Sequence, residues 1–228
     1  FGQRTFVAFG NGVTTRYGYE ADTRRLSTLG TKLQGVNGTA IQALSYGYDR
    51  VGNLESLTNA LPHPVGNKFG AASGYGFGYD ALYRLTSAHG EASPRPGVLD
   101  RFTAGYAYSD IHNLTRSVLA REVVSQVGAE KPSAEQRDET YLYAGAAPHQ
   151  ATSIGTLQLS YDKNGNTLDE CEGATCIPGQ SQHFTWNEEN WLSEANKAGK
   201  VVRFLYDADG QRVAKLSPGG PSVTVGQW

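Results

Sequence analysis

The chain has 228 residues, 20 basic and 22 acidic, and its formal net charge of −2 is spread without blocks of either sign. No basic stripe follows a nucleic-acid backbone, no polybasic patch suits an anionic membrane, and no apolar run is long enough to span a bilayer as a helix. The 28 glycines, about 12% of the residues against roughly 7% in average proteins, point to many short strands joined by turns.

In chain order, one phrase recurs: an aromatic, a spacer, a second aromatic that is usually Tyr followed by Asp, a turn, and an apolar residue. It opens as YGYEADTRRL, with Tyr17 and the anchor Tyr19, and continues as YGYDRVGNL with Tyr46, Tyr48 and Asp49. GYGFGYDALYRL carries Phe77, Tyr79 and Asp80, and YAYSDIHNL carries Tyr106 and Tyr108, with Ser109 in place of Asp. Then come Tyr141 and Tyr143, LSYDKNGNTL with Tyr161 and Asp162, FTWNEENWL with Phe184 and Trp186, and FLYDADGQRV with Phe204, Tyr206 and Asp207. The anchors are 29, 31, 29, 35, 18, 25 and 20 residues apart. A fixed phrase at short period predicts an array of small units, each leaning on its neighbours, across 1–228 with no separate catalytic domain.

Residues i and i+2 of a strand share a face, so each phrase sets two rings side by side. Stacked units are therefore expected to bring these ring pairs into a ladder. The Asp after the anchor is expected to cap the turn, and Asn164-Gly165 and Asp209-Gly210 read as two-residue hairpin turns. The phrase keeps its rings while the Asp drifts to Glu20, Ser109 or Asn187, which assigns the conserved part to packing. The stretches 61–73, 92–97, 125–140 and 170–181 read as polar loops, and Gly128–Glu139 as a solvated excursion. The predicted fold is all-β: a curved, mainly antiparallel sheet of successive hairpins.

These residues resemble the YD-repeat, or Rhs (rearrangement hotspot), family over nearly the whole chain. NGVTTRYGYEADTRRLSTL (Asn11–Leu29), APHQATSIG (Ala147–Gly155) and YDADGQRVAK (Tyr206–Lys215) carry the likeness beyond the anchors. The resemblance implies a sheet that spirals into a hollow shell, in bacterial members commonly around a C-terminal toxin domain. The implied partners are the neighbouring repeats of the same polypeptide, that enclosed toxin and a secretion or translocation machinery. The implied place is secreted or at the bacterial cell surface. The family's self-cleaving core carries an Asp-Pro motif, and this sequence has no Asp-Pro, so no protease residues are assigned. With no initiator Met, the chain reads as an interior piece of a longer polypeptide.

No catalytic, cofactor or metal residues are expected. His63, His89, His112, His149 and His183 stand apart in sequence, without metal-ligand spacing. His149 is given a packing or hydrogen-bonding role. The Asp of every turn is a cap rather than one member of a positioned acid–base pair. Cys171 and Cys176, with four residues between them in ECEGATC, read either as a local disulfide or as a reduced surface pair. The rival to the wall reading is a surface module that binds carbohydrate through exposed rings such as Trp186 and Trp191.

Overall fold

The structure, a computed structural model, describes residues 2–35, 37–61, 71–125, 133–173 and 181–223. Every described element is a β-strand, and the pairings described are antiparallel, as the phrase predicts. The chain forms two compact units, one of residues 1–108 with 116–138 and the other of 109–115 with 139–228.

The first unit is a meander. Its strands are β1 (Phe6–Ala8), β2 (Thr14–Tyr19), β3 (Leu26–Lys32), β4 (Ala40–Tyr48), β5 (Leu54–Asn59), β6 (Ser73–Tyr79), β7 (Leu85–Arg95) and β8 (Val98–Tyr108), each paired with the next. β9 (Leu114–Ser125) and β10 (Ser133–Leu142) contribute residues to both units. The second unit continues in the same style. It runs from the end of β10 through β11 (Ser153–Ile154), β12 (Leu157–Tyr161), β13 (Thr167–Glu172), β14 (Gln182–Trp186), β15 (Leu192–Lys197), β16 (Lys200–Tyr206), β17 (Arg212–Ser217) and β18 (Gly220–Val223).

Two expected loops are largely strand. β7 runs through Ala92–Arg95 and pairs with β8 across a two-residue turn at Pro96-Gly97, where the Gly takes a φ of 73° that closes the hairpin tightly. Within the expected excursion, Ser133–Glu139 belongs to β10, where charged side chains stand on exposed faces and the backbone is free to pair. The other parts of 61–73, 125–140 and 170–181 lie mostly outside the described residues.

The sheet has little buried core. Among the described residues no side chain is below 2% exposure, and the buried apolar residues are small or few, Leu61, Ala88, Val98, Cys171 and Ala214. The anchors and their ring partners are half-buried, whereas the spacers opposite them are often exposed, as at Ala107, Thr185 and Leu205. Glycines let side chains lie against backbone. A Cβ on Gly90 would meet Tyr75 and Phe102 at 2.5 Å each, and these two rings flank it 6.3 Å apart. On the opposite face His89 lies against Gly76, where a Cβ would meet its ring at 2.3 Å.

Candidate functional site: a repeated ring-to-carbonyl stitch

Six of the eight phrase turns are five-residue loops closed at both ends. Asp49 N–H donates to the Asn53 carbonyl, and Gly52 N–H returns to the Asp49 carbonyl. The same two bonds recur at Asp80, Ser109, Asp162, Asn187 and Asp207. The fourth residue of the loop has positive φ: Gly52 (110°), Tyr83 (62°), His112 (67°), Gly165 (94°), Asn190 (61°) and Gly210 (77°). Asn164 and Asp209 do not, so the expected two-residue turns at 164–165 and 209–210 are replaced by loops that begin at Asp162 and Asp207. The carboxylate explains why. Asp49 Oδ1 accepts from the N–H groups of Val51, Gly52 and Asn53, and its Oδ2 accepts from the Asn53 side chain. This leaves one left-handed position to fill, and Gly fills it at least cost.

Those bonds set the charge of the turn. Desolvation pushes the Asp49 carboxyl up, but the donors from Asn53, Gly52 and Val51 together outweigh it and hold the group below its ordinary value. The Arg84 N–H lowers Asp80, helped by the Arg84 side chain 2.7 Å away, and the Asn166 side chain lowers Asp162. These carboxylates point at donors of their own loops.

The return strand then shifts register by one residue beside six of the eight anchors. Gly47 pairs with Ser56 but Tyr48 pairs with Leu54, so Glu55 is the extra residue of a bulge. The same step falls at Tyr19, Tyr79, Tyr161, Trp186 and Tyr206. The anchor of the next phrase reaches back to the carbonyl at this step. Tyr48 Oη donates to the Leu26 carbonyl (2.9 Å), Leu26 being the residue opposite Tyr19. Tyr79 donates to Leu54 (3.0 Å) and Tyr108 to Leu85 (2.8 Å). In the second unit Tyr143 donates to Leu114 (2.9 Å), Trp186 Nε1 to Thr167 (2.8 Å) and Tyr206 to Leu192 (2.9 Å). Tyr19 and Tyr161 make the same bond to Arg4 and Ala151. All eight anchors are thus stitched to backbone earlier in the chain.

Sequence reasoning assigned the anchors to ring packing and missed the donor. The signal was present: every anchor is Tyr or Trp, rings with an O–H or N–H, whereas the position two before it accepts Phe77, Phe184, Phe204 and Leu159. Besides that bond, several anchors pack against the preceding turn. Tyr48 lies 5.7 Å under the Arg25 guanidinium and Tyr108 4.8 Å under that of Arg84, while Tyr206 meets Trp191 at 5.3 Å. Each of these partners sits at the turn end of the preceding hairpin, so at these three anchors the ring packs on the preceding turn.

The histidines fall into this scaffold. His149 meets the Asn113 side chain at 2.7 Å, whose amide also donates to the Pro148 carbonyl, tying Ala147–Gln150 to the 109–113 turn. His183 and Ser160 flank Asp169 at 2.8 and 2.9 Å, and His183 holds that carboxyl below its ordinary value. His63 lies outside the described residues. Cys171 is buried on β13 and disulfide-bonded, and Cys176 lies outside the described residues. Among the described residues no three of His, Cys, Asp and Glu converge as a metal-binding group, and no helix is long and apolar enough to cross a membrane.

No protein-family model matches the chain. Over 95% of its length it is 34% identical to toxin subunit YenC2 and 26% identical to toxin subunit YenC1, both of Yersinia entomophaga. It spans about a quarter of each, 24%. Among solved structures it is similar to the TcdB2-TccC3-Cdc42 crystal structure (TM-score 0.56) and to TcdB2-TccC3 without its hypervariable C-terminal region (TM-score 0.57). Both likenesses are 18% identical over 99% of this chain and cover 13% and 12% of the respective chains, so they speak for the fold.

Proposed function

We propose that the chain is a non-catalytic wall segment of an exported YD-repeat shell, a 1–228 repeat array that helps enclose and deliver a C-terminal toxin domain. The observation that carries this reading is the stitch. Its Tyr donors are spent between successive hairpins and its Asp acceptors within their own turns, so the recurring Tyr and Asp serve the repeats instead of meeting a substrate. The likeness to toxin subunits supports the toxin setting, and the likeness to TcdB2-TccC3 supports the architecture. Neighbouring repeats, the enclosed domain and a translocation machinery are the partners in this reading, and the place is outside the cell. A glycan-reading module is disfavoured by the same geometry, since Trp186 spends its N–H on Thr167 and Trp191 packs on Tyr206.

The test is protease protection in the full-length polypeptide. Its C-terminal domain is expected to resist a protease that digests the same domain made alone, and to become sensitive when Tyr48, Tyr79 and Tyr108 are changed to Phe. Digestion of the domain at equal rates in both settings would overturn the proposal.

A further inference from the structure

The stitch has a chemical weakness that its turns and ladders lack. A phenol donates to a carbonyl only while it keeps its proton. A phenolate in the same place sets one acceptor against another at under 3 Å, the spacing seen at Tyr48, Tyr108, Tyr143 and Tyr161. We propose that the anchors form an alkali-sensitive zip, in which ionisation of the phenols parts successive hairpins while the ladder and turn bonds remain available. This holds whether or not the wall encloses a cargo.

The surroundings of the four phenols point the same way. Desolvation raises Tyr48, helped by Tyr46 and Glu20 and opposed by Arg25. Desolvation likewise raises Tyr108, with Tyr106 and Asp80 adding and Arg84 opposing. Desolvation likewise raises Tyr143 and Tyr161, with Tyr141 adding at Tyr143, and Tyr143 and Glu170 adding at Tyr161. A folded value above the ordinary one, near 10, means that the stabilisation is present below about pH 10 and is lost as pH rises through the folded value. Arginine softens this at Tyr48 and Tyr108. At Tyr143 and Tyr161 desolvation and the neighbouring acids all act in the raising direction, so the experiment is aimed at these two. Trp186 keeps its N–H throughout this range and marks a stitch that alkali leaves intact.

The experiment is a titration of the protein from about pH 8 to about pH 11.5, following tyrosinate absorbance and far-ultraviolet circular dichroism together. Each phenol that ionises only on unfolding steepens the unfolding constant by about tenfold per pH unit, so Tyr143 and Tyr161 together supply about a hundredfold. The variant pair Tyr143→Phe and Tyr161→Phe is expected to lose that hundredfold from the pH dependence even though it is weaker at neutral pH. Tyr161→Trp, which restores a non-titrating donor on the pattern of Trp186, serves if the Phe pair fails to fold and should lose tenfold. Tyr83→Phe, at an exposed turn tip, should leave the slope unchanged. An unchanged slope in the Tyr161→Trp variant, or tyrosinate forming at all four anchors with the circular dichroism intact, would overturn the proposal.

Discussion

Replacing Tyr79 by Phe isolates one stitch. The ring and its place on β6 remain, and only the 3.0 Å bond to the Leu54 carbonyl is removed. A net protein hydrogen bond contributes about 0.5–1.5 kcal/mol, and the half-buried site lets water reach the abandoned carbonyl, so a loss of about 1 kcal/mol is expected. For a chain of this size that corresponds to roughly 2–4 °C in the melting midpoint if the unit unfolds cooperatively. Tyr46→Phe is the matched control: it removes a hydroxyl from the same face but no stitch. Urea unfolding gives the difference in midpoint, and native-state hydrogen exchange locates it, with amides of the 49–53 turn and of β5 losing protection first. If the two variants prove equally stable, or if protection falls evenly across the unit, the stitch is not what joins neighbouring hairpins.

Four further outcomes follow from the same geometry. Tyr83→Asn should raise stability by up to about 1 kcal/mol in thermal unfolding, because a bulky residue is held at φ 62° on a tip where its side chain is 60% exposed. Gly90→Ala should cost about 1–3 kcal/mol, since the new methyl enters the space of both Tyr75 and Phe102, and a chemical denaturation midpoint reads it directly. Asp49→Ser should flatten the acid limb of the stability curve: the carboxyl is held below its ordinary value, so its contribution is present above about pH 4 and lost as pH falls through the folded value. Cys171 and Cys176 should appear as one crosslinked peptide in non-reducing mass spectrometry, and Cys176→Ser should free a thiol at Cys171 that reacts with alkylating agents once the protein is unfolded.

Much of this protein was determined by its sequence alone. The aromatic at i−2, the anchor, the Asp and the turn repeat often enough to dictate antiparallel hairpins, because strand periodicity and Asx-turn chemistry are local and need no knowledge of distant residues. The return strand after each turn, begun by Leu54, Leu85 or Leu114, was legible for the same reason. The tertiary structure decided what the rings do. That Tyr79 reaches Leu54 depends on a one-residue bulge at Glu55 and on hairpins lying side by side, and the two residues are 25 apart in the chain. It also decided that Ser133–Glu139, too polar to look like a strand, becomes one: a single-layer sheet asks little burial of its strands, so backbone pairing rather than apolar periodicity sets their limits. The phrase gave the hairpin, and the meeting of two hairpins turned its tyrosine from a packing ring into a hydrogen-bonding hook.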